Sequence, residues 1–105
     1  MKEKSLERIL VRTVKQSGGI ALKFVSPGMA GVPDRLVLFP GEKIAFVEIK
    51  APGKKPTALQ RLRHAQLRSL GFRVFVADSA ERIPEIVEEM KEGAIKSTAP
   101  AWPTL

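Results

Sequence analysis

The chain contains no cysteine, which excludes disulfide bridges and thiolate metal centres alike. Its single histidine, His64, excludes a His-rich zinc site. No apolar run near the start has the form of a signal peptide, and none is long enough to span a bilayer. A cytoplasmic protein with no membrane partner is therefore the expectation. Acidic side chains are scarce, 11 against 18 Lys and Arg, for a formal charge of +7. The shortage is uneven: residues 1–77 hold 15 basic and 5 acidic side chains, whereas residues 78–105 hold 3 basic and 6 acidic. A basic body suits a polyanionic partner, because Lys and Arg neutralise phosphates. Charge alone fits equally well a solvated basic surface without a partner.

What is present is enough for one domain. At 105 residues the chain is about one domain long, and 44% hydrophobic residues supply a modest core. Its most informative stretch runs from Val32 to Lys50. Leu36 to Phe39 and Ile44 to Val47 are two short apolar runs, and Pro40-Gly41 between them is turn chemistry. This predicts an antiparallel hairpin. With the turn centred on Gly41, Asp34 lies opposite Glu48, and opposed residues on one face sit about 4.5–5.5 Å apart at Cβ. Alternation then places Lys50 on the face of Glu48. Two carboxylates and an ammonium gather at one end of the hairpin.

That set can hydrolyse a phosphodiester. Mg²⁺ favours oxygen ligands and takes only one or two protein carboxylates. Such an ion polarises a phosphate and activates water. Lys50 would orient that water or stabilise the developing negative charge. The bland reading is an exposed strand edge with a Glu-Lys pair, which is the commoner fate of so short a pattern. Pro33 before Asp34 and the well-formed hairpin raise this case above it.

The remaining text alternates helices and strands. Glu3 to Lys15 has an apolar stripe of Leu6, Ile9, Leu10, Thr13 and Val14 and stops before Gly18-Gly19. Glu3 and Glu7 share a side of that helix, either as surface decoration or as a third acid leaning towards the hairpin. Ile20 to Val25 reads as a strand, with Lys23 facing away from Leu22 and Phe24. Ala51 to Pro56 is an irregular loop whose Lys54 and Lys55 suit a nucleic-acid backbone. Thr57 and Gln60 have capping-box spacing at the head of a helix reaching Leu70, with Leu59, Leu62, Leu67 and Leu70 as its buried side. Arg61, Arg63 and Arg68 fall outside, and His64 is read as a surface residue without a role. Phe72 to Ala77 is a further strand. A last helix begins near Ser79, becomes regular close to Pro84, and turns Ile83, Ile86, Val87 and Met90 inward.

Pro33-Asp34 followed by Glu48-Ile49-Lys50 resembles the PD-(D/E)xK nuclease superfamily. The fuller text, with Ser26-Pro27-Gly28, Gly31 to Arg35, Phe46 to Gly53 and Gln60, resembles its VRR-NUC branch over roughly residues 3 to 90. The resemblance implies an α/β fold with a restriction-endonuclease-like αβββαβ core, its mixed sheet flanked by helices. It implies dependence on Mg²⁺, with Mn²⁺ able to substitute, and residues 1–93 as the nuclease domain. Asp34, Glu48 and the Ile49 carbonyl would hold metal, while Lys50 positions water. Glu7 is matched to the helix-borne acid of the superfamily, with Glu3 as the alternative. Gln60 is assigned to the catalytic neighbourhood, a role that one rotamer is not expected to combine with capping. Lys23, Ser26 and Arg35 join Lys54 and Lys55 as expected contacts to nucleic acid. Free-standing members look like Holliday-junction resolvases, so the expectation is a homodimeric endonuclease acting on branched DNA. A flap- or duplex-cutting nuclease and a non-catalytic DNA-binding module are the alternatives. Residues 94–105, which lack periodicity, read as a C-terminal tail, either disordered or packed on a partner.

Overall fold

A computed structural model describes residues 1–92; the expected tail at 94–105 lies outside the described residues. Its elements are helix α1 (Glu3–Gln16), strands β1 (Ile20–Lys23), β2 (Arg35–Phe39) and β3 (Lys43–Ile49), helix α2 (Ala58–Ser69), strand β4 (Arg73–Ala77) and helix α3 (Arg82–Glu92). The four strands form one sheet in the order β1-β2-β3-β4. The first two pairings are antiparallel and β3–β4 is parallel. The parallel pair follows from α2, which carries the chain back across the sheet so that β4 starts at the same end as β3. This is the α/β architecture with a mixed sheet that the sequence predicts.

The two faces of the sheet have different neighbours. Strand alternation sends Ala21, Val37, Phe39, Ala45, Val47, Ile49, Phe75 and Ala77 to one side, where they pack with Leu6, Leu10 and Val14 of α1 and with Ile83, Ile86, Val87 and Met90 of α3. Those helical residues recur at three- and four-residue spacing, so each helix buries one stripe. Full burial of each large aliphatic contributes about 1.5–3 kcal/mol. Truncating Leu10, wholly buried, costs about 2–5 kcal/mol. On the other face, Phe46 meets Phe24 and Phe72, with ring centroids 5.5 and 5.9 Å apart. Helix α2 lies on this second face, towards β4.

Several local expectations shift. Hairpin closure at Phe39↔Lys43 leaves Pro40, Gly41 and Glu42 in the turn, one residue more than Pro40-Gly41. Gly41 and Glu42 both have positive φ, 82° and 62°, which glycine adopts freely and glutamate seldom does. Strand β1 stops at Lys23 rather than Val25. Helix α3 starts at Arg82, whose N–H donates to the Ser79 hydroxyl, and Pro84 sits in its first turn, where proline is tolerated. The larger change concerns α2. Leu59 and Leu62, expected inside, are 41% and 50% exposed, and His64, expected outside, is buried. The buried face is set by which residues meet β3, and that face holds Gln60 and His64 rather than the leucines.

Candidate active site

Asp34 is delivered by the loop between β1 and β2. Gly31 in that loop has φ +87°, and a Cβ there would meet Leu59 Cγ at 2.8 Å and Arg63 Cγ at 3.2 Å. Only glycine lets the loop lie this close to α2. Arg63 Nε, donating to the Ala30 carbonyl at 2.8 Å, holds it there. The buried Pro33 follows, and the main-chain carbonyl of Asp34 accepts the Phe24 N–H at 2.9 Å. The residue is therefore fixed before its side chain is considered. Its carboxylate then accepts the N–H of Ile49 at 2.8 Å.

Glu48 faces Asp34. The pairing Arg35↔Val47 extends by one residue to this couple, and both side chains point to the α2 face. Glu48 is only 1% exposed. Its environment is polar but incomplete. Oε2 accepts a hydrogen bond from Gln60 Nε2 at 3.3 Å and lies 3.6 Å from the Lys50 ammonium. Oε1 faces His64 Nε2 at 3.8 Å, beyond hydrogen-bond range, and neither of these buried atoms has a hydrogen-bond partner among the described residues. Burial pushes the Glu48 carboxyl up to about 8; the neighbouring Asp34 carboxylate pushes the same way, and Lys50 opposes them. Burial likewise lowers the pKa of His64, aided by Arg68 and Lys50 and opposed by Asp34. At neutral pH the imidazole is thus an uncharged neighbour rather than an ion-pair partner.

Gln60 corrects an expectation. Its Oε1 accepts the Thr57 N–H at 2.9 Å, its own N–H donates to Thr57 Oγ1 at 3.2 Å, and its Nε2 reaches Glu48. One rotamer serves both the capping box and the buried carboxylate, because an amide has two chemically different ends. His64 was missed altogether. The available signal was its spacing: it lies four residues after Gln60, hence one helical turn along the same face.

The remaining candidates are dispersed. Glu7 does not join Asp34 and Glu48. Helix α1 covers the opposite face of the sheet, and there Glu7 Oε2 accepts from Arg35 Nε at 2.8 Å. Arg35 also donates from Nη1 to the Ala21 carbonyl at 3.2 Å, so its guanidinium ties β1 and β2 to α1 rather than standing free for a phosphate. Glu3 lies nearer the hairpin end, accepting the Ala51 N–H at 3.4 Å. Lys23 is exposed and pairs in register with Arg35, on the α1 side. Ser26 lines a cavity of about 530 Å³ between the β1–β2 loop and α2, with Phe24, Met29, Val32, Arg63 and Leu67 among its neighbours. Lys54 and Lys55 are exposed in the loop after β3. The Ile49 side chain is buried among the α1 and α3 residues, so this residue can offer the site only its main chain. Among the described residues no three Asp, Glu, His or Cys side chains converge to hold an ion. Asp34 and Glu48 are the two carboxylates that the hairpin sets opposite each other.

No family model matches the sequence. The chain is 57% identical over 81 residues to the protein named "Putative nuclease p44" from Acyrthosiphon pisum secondary endosymbiont phage 1, spanning 77% of this chain and 87% of that one. A solved structure described as a VRR_NUC domain superposes with a TM-score of 0.78 at 31% identity, covering 82% of this chain and 94% of its own. The mixed sheet, the Pro33-Asp34 and Glu48-Ile49-Lys50 segments at one sheet end, and both similarities agree: the chain belongs to the VRR-NUC family.

Proposed function

We propose that this protein is a metal-dependent endonuclease that hydrolyses DNA phosphodiesters, acting on four-way junctions as a homodimer. The observation that carries the reading is the opposition of Asp34 and Glu48, with Lys50 beside them and Gln60 behind. Two adjacent carboxylates repel each other, and burial raises the cost of ionising Glu48. A divalent cation would remove both penalties. Mg²⁺ suits the donor set, because it binds few protein carboxylates and keeps water in its remaining positions. Asp34, Glu48 and the Ile49 carbonyl would hold it, and when bound it supplies electrophilic assistance to the phosphate.

The chain's own groups do the rest. The Ile49 N–H fixes the Asp34 carboxylate, and Gln60 fixes one oxygen of Glu48. Lys50 places an ammonium where negative charge grows as water adds to phosphorus and one ester P–O bond breaks. Lys54 and Lys55, exposed just beyond, are placed to hold the flanking backbone. The preference for a junction rests on symmetry. A domain of this size grips a branched substrate better as a two-fold pair, which presents two sites to two equivalent strands. Exposed Met29, Leu59 and Leu62 on the α2 side are apolar surface for such pairing.

The test is cleavage of a labelled four-way junction beside a matched duplex and a flap, with Mg²⁺ or EDTA, using wild type and Asp34→Asn. Symmetric Mg²⁺-dependent nicking of the junction alone supports the whole reading. Cutting of flap or duplex instead retains the chemistry and discards the junction. Tight, salt-sensitive binding without any cleavage overturns the nuclease.

A further inference from the structure

On the face of the sheet away from Glu48, α1 carries Lys4, Arg8, Arg12 and Lys15, all exposed. At 100° per residue they fall within an arc of about 80° and extend along about 16 Å of helix. This is a straight basic row. It borders an open groove of about 590 Å³ that also includes Glu7, Val11 and Arg35. Past Val11 and Lys15 the groove continues into a hollow against Gly19 and against Ile20 and Ala21 of the edge strand.

Three observations give this groove a polyanionic occupant. None of the four cationic side chains has an ion-pair or hydrogen-bond partner among the described residues. The one acid that lines the groove among the described residues, Glu7, is already matched by Arg35 at 2.8 Å, so it does not offset the row. Helix α3, beside α1 on the same sheet face, instead exposes Glu88 and Glu92, which repel the same ligand and favour the α1 side, while Glu85 and Glu89 share Arg82 at 3.2 and 3.6 Å. The row also has a direction. Glu3, next to Lys4, accepts the N–H of Ala51 at 3.4 Å, and Ala51 follows Lys50. The basic row therefore begins at the carboxylate end of the sheet and leads away from it.

Resting on the nuclease reading, we propose that α1 is a track for one duplex arm of the DNA substrate, engaging its backbone without reading sequence. About 16 Å of row corresponds to about five base-pair steps at 3.4 Å per step. An acidic protein segment would need no such alignment with the carboxylate site. Contacts of this kind show themselves as counterion release, which lowers the logarithm of affinity by about 0.9 per phosphate for each decade of salt.

The experiment titrates a duplex of about 30 base pairs against the full chain in EDTA, so that binding is read without cleavage, across a series of salt concentrations. K4A/R8A/R12A should flatten the salt slope by about 2–3 and weaken binding at low salt. R8K/R12K, which keeps the charge, should retain the wild-type slope. Thermal melts confirm that each variant is folded. A wild-type slope in the triple variant overturns the track and leaves the groove to an acidic protein partner. Loss of slope in R8K/R12K also overturns it, since the effect would not be one of charge. Separate Mg²⁺-dependent cleavage by wild type shows whether the nuclease reading stands, whatever the slopes show.

Discussion

Gln60 donates its amide N–H to Glu48 while the oxygen of the same amide accepts the main-chain N–H of Thr57. The start of α2 and the orientation of the buried carboxylate are consequently one constraint. A change at the cap should be felt at the site. Thr57→Ala removes the Oγ1 acceptor and is expected to cost about 1 kcal/mol, a fall of about 4–8 °C in Tm for a domain of this size. It should lower cleavage several-fold, while Thr57→Ser restores both. Full activity in Thr57→Ala, measured on folded protein, would show that the cap and the site are independent.

Asp34→Asn and Glu48→Gln should each abolish cleavage while leaving DNA affinity largely intact, because the basic side chains that neutralise phosphate are elsewhere. Gel-shift and nicking assays on the same preparations separate the two properties. Retained activity in both variants would refute the site assignment.

The raised pKa of Glu48 gives a stability prediction with a definite sign. Between its unperturbed value of 4.5 and about 8, the folded state binds more protons at this residue than the unfolded chain. Metal-free stability from this group therefore falls as pH rises through that window. Glu48→Gln removes the dependence. It should melt above wild type at pH 8 in EDTA, by about 4–8 °C for each kcal/mol recovered, and the advantage should shrink towards pH 5. Added Mg²⁺ should raise the wild-type Tm more at pH 8 than at pH 6, because bound protons compete with the ion. A pH-independent difference between the two proteins would contradict this account.

His64 sits 3.8 Å from the free oxygen of Glu48, so its removal should reach the site without touching the substrate. His64→Leu fills the space without an N–H. The expected result is a cleavage rate about tenfold lower and a higher Mg²⁺ requirement, with His64→Gln recovering part of both. An unchanged Mg²⁺ dependence in folded His64→Leu would reduce the residue to packing.

Most of this arrangement was readable from local pattern. The hairpin, the opposition of Asp34 to Glu48 and the inward residues of α3 follow from alternation and helical spacing, which need no knowledge of distant contacts. Helix α2 was misread for the same reason. Leu59 and Leu62 look like a buried stripe until the partner surface is known, and α2 turns its polar face to the buried Glu48. Glu7 illustrates a second limit. Its helix position is clear, but the choice between Glu48 on one sheet face and Arg35 on the other depends on which face α1 covers. Here the uncovered alternative was Glu3, at the end of the sheet. The error over Gln60 was chemical, in treating an amide as a single donor or acceptor.

Helix α2 belongs to the crossover that makes β3 and β4 parallel, and this fixes the order in which the site can be completed. Asp34 and Glu48 come together across a three-residue turn, so their meeting requires only a short loop to close. Gln60 and His64 join them when the crossover docks and β4 pairs with β3, a later and less local event. A chain still emerging from the ribosome can bring its two acids face to face before Gln60 is there to hold Glu48. Its capacity to cut would thus mature with the second half of the fold.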